Sequence, residues 1–205
     1  MPDRQASNPL ALAVLACLAQ RPMHPYEMSA TMREQRKDRA VKLNFGSLYS
    51  VVSSLQRKGL IEQVGPATRR GNRPERRTYA ITAAGSAELV EWVTRLVREP
   101  IAEYPRFGVG LDYLTALPPA AAVAALQARA QALAADAEVR RADVTESRNA
   151  LARRGLGRVY VLEDEYRLSM VEAELAWVRS VLDEFEAGDL SDDHWNAHRA
   201  GRSGE

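Results

Sequence analysis

The chain has 205 residues, 46% hydrophobic and 27% charged, enough apolar content to bury a core in one or two domains. Its net charge of +1 joins two unlike parts: residues 1–90 carry 14 Lys and Arg against 7 Asp and Glu, and residues 91–205 carry 14 against 20. The basic part suits a polyanionic partner that the acidic part would repel, so the two are expected to divide the labour.

A single cysteine, Cys17, excludes an internal disulfide and fits a reducing compartment. It lies in the apolar run Leu10–Ala19, which is too short to span a bilayer and lacks the flanks of a signal peptide. The expectation is a soluble cytoplasmic protein with no membrane partner.

Asn8 followed by Pro9 predicts a helix start, running to about Gln20 with Leu10, Val14, Leu15 and Leu18 toward the core. His24 and Pro25 repeat that pattern for a second helix, residues 25–37. After a short linker or strand over Asp38–Leu43, Asn44 is placed to cap a third helix. In it Phe45, Leu48, Val52 and Leu55 keep helical spacing and define a buried stripe. Gly46, Ser50, Ser53 and Arg57 fall opposite, flanked by Ser47, Tyr49 and Ser54, and Gly59 provides a left-handed stop.

Leu60–Val64 and Thr78–Ile81 alternate in part as strands. Between them Arg69, Arg70, Arg73, Arg76 and Arg77 crowd into nine positions, with Gly71, Asn72 and Pro74 to turn the tip. Thr82 caps a fourth helix to about Arg98, with Leu89, Trp92, Val93 and Leu96 on one face. A loop and a short helix follow. Pro118-Pro119 then starts a long Ala-rich helix to about Arg154, and Gly155 and Gly157 make a turn. The last helix, Val159–Ala187, carries a heptad of Leu168, Val171, Leu175, Val178, Leu182 and Phe185. A coiled-coil seam and a helical-bundle core both fit it. Residues 188–205 are polar and aperiodic, and are expected to form a flexible tail.

The fold class expected is mainly α. A winged helix-turn-helix with a two-stranded wing comes first, over residues 1–98 with its linking helix. An all-α dimerisation domain with a long helical hairpin follows over 99–187, and the tail occupies 188–205.

A helix light enough for a DNA groove beside a cationic hairpin points to double-stranded DNA as partner. The wing arginines would supply affinity by counterion release without reading sequence, or enter a narrow minor groove. Base reading falls to Ser47, Tyr49, Ser50 and Ser53, with Lys42 and Asn44 near the helix start. Tyr26 and Tyr49 have two readings, phosphate contact or packing between helices, contact being favoured for Tyr49 and packing for Tyr26.

A dimer is expected, because one module contacts too little DNA for useful specificity and a dyad matches a palindromic operator. Leu89, Trp92 and the six heptad residues are the candidate interface. Trp92, Tyr104, Phe107 and Trp177 could line a ligand pocket, though aromatics at helical spacing more often form core.

His194 and His198 have metal-ligand spacing but sit in a polar tail, so no metal and no cofactor are expected. No Gly-rich phosphate loop or nucleophile pair suggests an enzyme, and Glu163-Asp164-Glu165 reads as solvated charge before a helix. A module binding an acidic protein partner through its basic wing is the competing class.

Four segments carry a further identification: LAVLACLAQRPMHPYEM, NFGSLYSVVSSLQRKGLIE, GNRPERRTYAIT and the TAAG that enters the fourth helix. Together they make the first ninety residues resemble the PadR family of bacterial transcriptional regulators. The family's recognition-helix pattern matches Asn44, Gly46, Leu48 and Tyr49. Its His-Gly-Tyr-Glu matches His24-Pro25-Tyr26-Glu27, with Pro in place of Gly, which a first helical turn tolerates. The remainder resembles the longer members through its length, its helicity and LAWVRSVLDEF. The resemblance implies a homodimeric repressor that responds to a small aromatic or cationic effector, or to stress. A regulator with no small-molecule ligand stays open beside it.

Overall fold

The computed structural model describes residues 8–35, 45–68, 76–190 and Trp195, apart from the side chains of residues 45, 66–68 and 76. They fall into two compact units, one ending at Ala102 and the other beginning at Glu103.

In the first unit, α1 (Pro9–Leu18) starts as its sequence dictates: the Asn8 side chain accepts the Leu10 N–H at 3.1 Å, and Pro9 occupies the first turn. Leu10, Val14, Leu15 and Leu18 are buried, as is Cys17. A reciprocal capping box opens α2 (Pro25–Glu34). His24 Nδ1 accepts the Tyr26 N–H at 3.1 Å, while Glu27 Oε2 accepts the His24 N–H at 2.7 Å.

In α3 (Phe45–Arg57), Leu48, Val52 and Leu55 are buried, joined by Val51, which lies beside the expected stripe. Gly59 takes the left-handed conformation at φ +68°, and Leu60 N–H returns to the Leu55 carbonyl at 3.1 Å.

The strands β1 (Ile61–Thr68) and β2 (Arg76–Ile81) pair antiparallel, Ile61 opposite Ile81 and Gln63 opposite Tyr79. Both run further toward the tip than alternation predicts, because a bulge between Val64 and Thr68 lets the ladder resume. Gly65, at φ +78°, sits in it. Met23, in the loop between α1 and α2, exchanges both backbone hydrogen bonds with Tyr79 at 3.0 Å, adding a one-residue third strand.

Thr82 caps α4 (Ala83–Arg98). Leu89 and Trp92 of α4 join the core, whereas Val93 and Leu96, expected on the same face, are exposed along with Val90 and Val97. The core ends at Trp92. Leu96 lies one turn past it, and Val93 is turned to the side.

In the second unit, α5 (Arg106–Asp112) and a 3-10 turn at Leu114–Ala116 precede α6 (Pro119–Arg153). A second 3-10 turn, Arg158–Val161, separates Gly157 from α7 (Leu162–Ala187), so the helix expected from Val159 begins three residues later. Gly155, at φ +65°, makes the bend.

The two long helices form an antiparallel hairpin bridged by Arg from α6 and Glu from α7. Arg129 Nε donates to Glu174 at 2.6 Å, Arg141 bonds Glu172, and Arg148 donates to Glu165 at 2.7 Å. Arg158, in the turn, also grips Glu165, and the two guanidiniums hold its carboxyl down at about 2. Beyond the left-handed cap at Gly188, part of the expected tail is seated. Trp195 is buried, donating its Nε1–H to the Leu117 carbonyl at 2.8 Å with its ring tilted against Phe185.

Candidate nucleic-acid interface

Burial of Leu48, Val52 and Leu55 turns the other side of α3 outward. Ser47, Ser50 and Ser53 are exposed, Tyr49 is half-exposed, and Arg57 closes the last turn. These short hydroxyls leave the helix backbone close to whatever lies against it, and each both donates and accepts. Tyr26 is 66% exposed on the first turn of α2, outside the buried core.

Arg77 is exposed on β2. Arg76 lies in the same strand, its side chain not described. Lys42, Asn44, Arg69, Arg70 and Arg73 lie outside the described residues. Arg57 was legible as the polar end of the α3 face and belongs with these candidates.

The frame under this face is tied at two points. The Met23–Tyr79 pair ties the start of α2 to the wing, and Thr82 ties the wing root to the end of α3. Its hydroxyl donates to the Gly59 carbonyl at 2.7 Å and accepts the Gly85 N–H at 3.0 Å.

The interface and ligand residues divide between the two units. Trp92, assigned to both roles, is 4% exposed in the core of the first unit, with Leu89 packed against that core. Burial leaves Trp92 almost no surface for a partner or ligand, so its role is core. Of the heptad residues, Leu175 and Val178 are buried, while Leu168, Val171, Leu182 and Phe185 are half-buried. A helix tethered opposite by a short turn packs there without association entropy, which favours the bundle-core reading for the two buried positions.

The apolar surface α7 leaves exposed is a second stripe about half a turn round the helix: Leu162, Tyr166, Met170 and Trp177. Of the four aromatics proposed for a pocket, two meet. Phe107 and Trp177 stack edge-on at 6.0 Å, with the Arg129 guanidinium 3.6 Å from the Phe107 ring centre. Tyr104 is fully exposed. Among the described residues no group of His, Cys, Asp and Glu is placed to hold a metal, and His194 and His198 lie outside them. No helix among those residues is long and apolar enough to cross a membrane.

Residues 14–91 match the Transcriptional regulator PadR-like family. Among curated proteins none matches. Among solved structures, Bacillus subtilis PadR in complex with operator DNA superposes with a TM-score of 0.68 at 18% identity, covering 89% of this chain and 98% of that one. A PadR-like regulator from Bacillus cereus gives 0.55 at 16%, covering 87% and 98%. The Bacillus subtilis PadR complex with p-coumaric acid gives 0.55 at 16%, covering 86% and 95%. At these identities the likeness establishes the fold. With the wing, the capped α2 and the hydroxyl face of α3 in place, the first unit is a winged helix-turn-helix whose residues 14–91 match the PadR-like transcriptional regulator family, followed by an all-helical second unit.

Proposed function

We propose that this chain is a homodimeric, sequence-specific DNA-binding transcriptional regulator of the cytoplasm, a repressor released by a small effector. The observation that carries the reading is the outward face of α3: Ser47, Tyr49, Ser50 and Ser53 exposed together on a helix whose other side is core. In winged helix-turn-helix proteins the corresponding helix enters the major groove. Serines contact bases adaptably, so groove shape and deformability carry much of the discrimination. Arg69, Arg70, Arg73, Arg76 and Arg77 neutralise phosphates from the wing, and Tyr26, Lys42 and Asn44 help fix the register. The described residues of the first unit supply the chemistry of binding rather than of bond-making.

The dimer brings two such heads to half-sites about 34–36 Å apart. Its apolar contact is assigned to the exposed α7 stripe of Leu162, Tyr166, Met170 and Trp177, which offers more free apolar surface than a heptad whose Leu175 and Val178 are already buried. An effector of small aromatic or cationic type is assigned to the neighbourhood of Phe107 and Trp177, where one aromatic edge already meets another and a guanidinium lies over a ring. Bacillus subtilis PadR, the fold relative, is known bound to operator DNA and to p-coumaric acid, which supports both halves of the proposal.

The deciding experiment selects a duplex from a random library with the purified protein, then titrates that duplex and a shuffled control at two salt concentrations. The expected result is preference for the selected duplex, with affinity falling steeply as salt rises. Replacing Arg69 and Arg73 by Ala should flatten the salt slope by about 0.9 for each phosphate no longer neutralised. Absence of binding to any duplex refutes the reading and favours an acidic protein partner for the basic wing.

A further inference from the structure

The Thr82 hydroxyl does two jobs at one point. It accepts the Gly85 N–H at 3.0 Å, capping α4, and donates to the Gly59 carbonyl at 2.7 Å, at the left-handed residue that ends α3. The Thr82 backbone N–H donates to the Leu60 carbonyl at 3.1 Å, extending the wing ladder by a step. The same Leu60 carbonyl is pressed against Gly85: a Cβ there would stand 2.0 Å from it, and 2.9 Å from Cγ1 of Ile81. The end of α3, the roots of both wing strands and the first turn of α4 therefore meet at one hydroxyl and one missing methyl group.

An N-cap alone needs only the bond to Gly85. The bond to Gly59 reaches back 23 residues and fixes no part of α4; what it fixes is where α3 ends relative to the wing. The wing has a second tie, the Met23–Tyr79 pair on the other edge of β2. With the hydroxyl gone the wing stays attached to the loop before α2 and the Thr82 N–H still bonds Leu60, but the side-chain link from Thr82 to Gly59, where α3 stops, is lost. A reader that places a helix in one groove and a cationic hairpin on the flanking backbone depends on the angle between them, and small displacements of either weaken the grip of both.

We infer that Thr82 is a positioning residue for DNA recognition: its side chain sets the angle between the reading face of α3 and the arginine-bearing wing. The inference rests on the DNA-binding function proposed for this unit. Thr82 itself touches no nucleic acid; it acts through Gly59 and the wing root.

The test compares Thr82→Val, which keeps the shape and removes the hydroxyl, with Thr82→Ser, which keeps the hydroxyl. Both are made in the full chain and measured against the duplex selected by the wild-type protein and against its shuffled control. Measurements are made at a temperature where circular dichroism shows each variant folded. Thr82→Val is expected to lose about tenfold in affinity for the selected duplex and much less for the shuffled one, as one hydrogen-bonded joint is removed. Thr82→Ser is expected to stay within about twofold of wild type.

Selected-duplex affinity unchanged in folded Thr82→Val overturns the inference, and so does an equal loss in Thr82→Ser. Should Thr82→Val not fold, amide exchange on the wild-type protein decides: the Gly85 N–H should be slowed more by the selected duplex than by the shuffled one, and equal exchange overturns the inference. Failure of the wild-type chain to bind any duplex instead removes the DNA-binding reading itself, so the two failures are distinct.

Discussion

Cys17, a lone thiol in the apolar run of α1, is buried, and burial pushes its pKa up to about 11. At pH 8 very little thiolate is then present, so an aromatic disulfide reagent should react slowly with native protein and rapidly once urea unfolds it. Immediate reaction of the native protein would show that α1 is not packed as described. The caps at Asn8, His24 and Thr82 are legible in the sequence, since each is a side-chain acceptor followed by a helical period. The second bond of Thr82 is not, because nothing local announces a partner 23 residues earlier. Trp92 misleads for a related reason: a large aromatic on an amphipathic helix suits a core and an interface alike, and only the packed neighbours distinguish them.

Elements are legible wherever one period and its punctuation agree. The starts of α1, α2, α4 and α6 fall where a cap or proline places them. The wing strands run longer than their pattern because the bulge after Val64 breaks alternation without ending the ladder. The seam of α7 is plain in the sequence yet leaves two partners open, another copy or its own hairpin, since a heptad records spacing and not ownership. The arginine–glutamate bridges show what commits it to α6. Glu165, largely covered and gripped by Arg148 and Arg158, is the strongest case, its carboxyl lowered to about 2. An unfolded glutamate titrates near about 4.3, so this group's stabilising effect is fully present above that pH and is lost as pH falls toward 2. Thermal melts of Glu165→Gln should therefore vary less over that window than those of wild type. Matching slopes would mean the two guanidiniums do not hold the carboxylate.

For the whole molecule, charge alone divides a basic first part from an acidic second, and contacts divide the chain into two compact units, one ending at Ala102 and the other beginning at Glu103. The surface proposed to join two copies is hard to see in the sequence, because the regular heptad on α7 draws the eye and the exposed stripe beside it keeps no strict period. Leu162, Tyr166, Met170 and Trp177 run along about 22 Å of helix, a strip long enough to pair with its own symmetry mate. Replacing Met170 and Trp177 by Asp should convert the dimer to a monomer in sedimentation velocity while leaving the helical content intact. DNA affinity should fall with it, because each head then bears its own association cost. A variant that remains dimeric would place the contact on another face, the exposed Val90, Val93 and Val97 of α4 being the next strip to test.

The three tryptophans stand in three different settings: Trp92 in the core of the reader, Trp177 half-exposed on the outer stripe, and Trp195 tucked under the end of the hairpin with its N–H engaged. Each indole therefore sits in its own environment, and paired Trp→Phe replacements that leave one indole at a time would turn one fluorescence spectrum into three separate gauges. One follows unfolding of the first unit, one follows whatever comes to cover α7, and one follows exposure of Trp195. The chain thus carries its own optical probes, without a label attached anywhere near the α3 face proposed to read DNA.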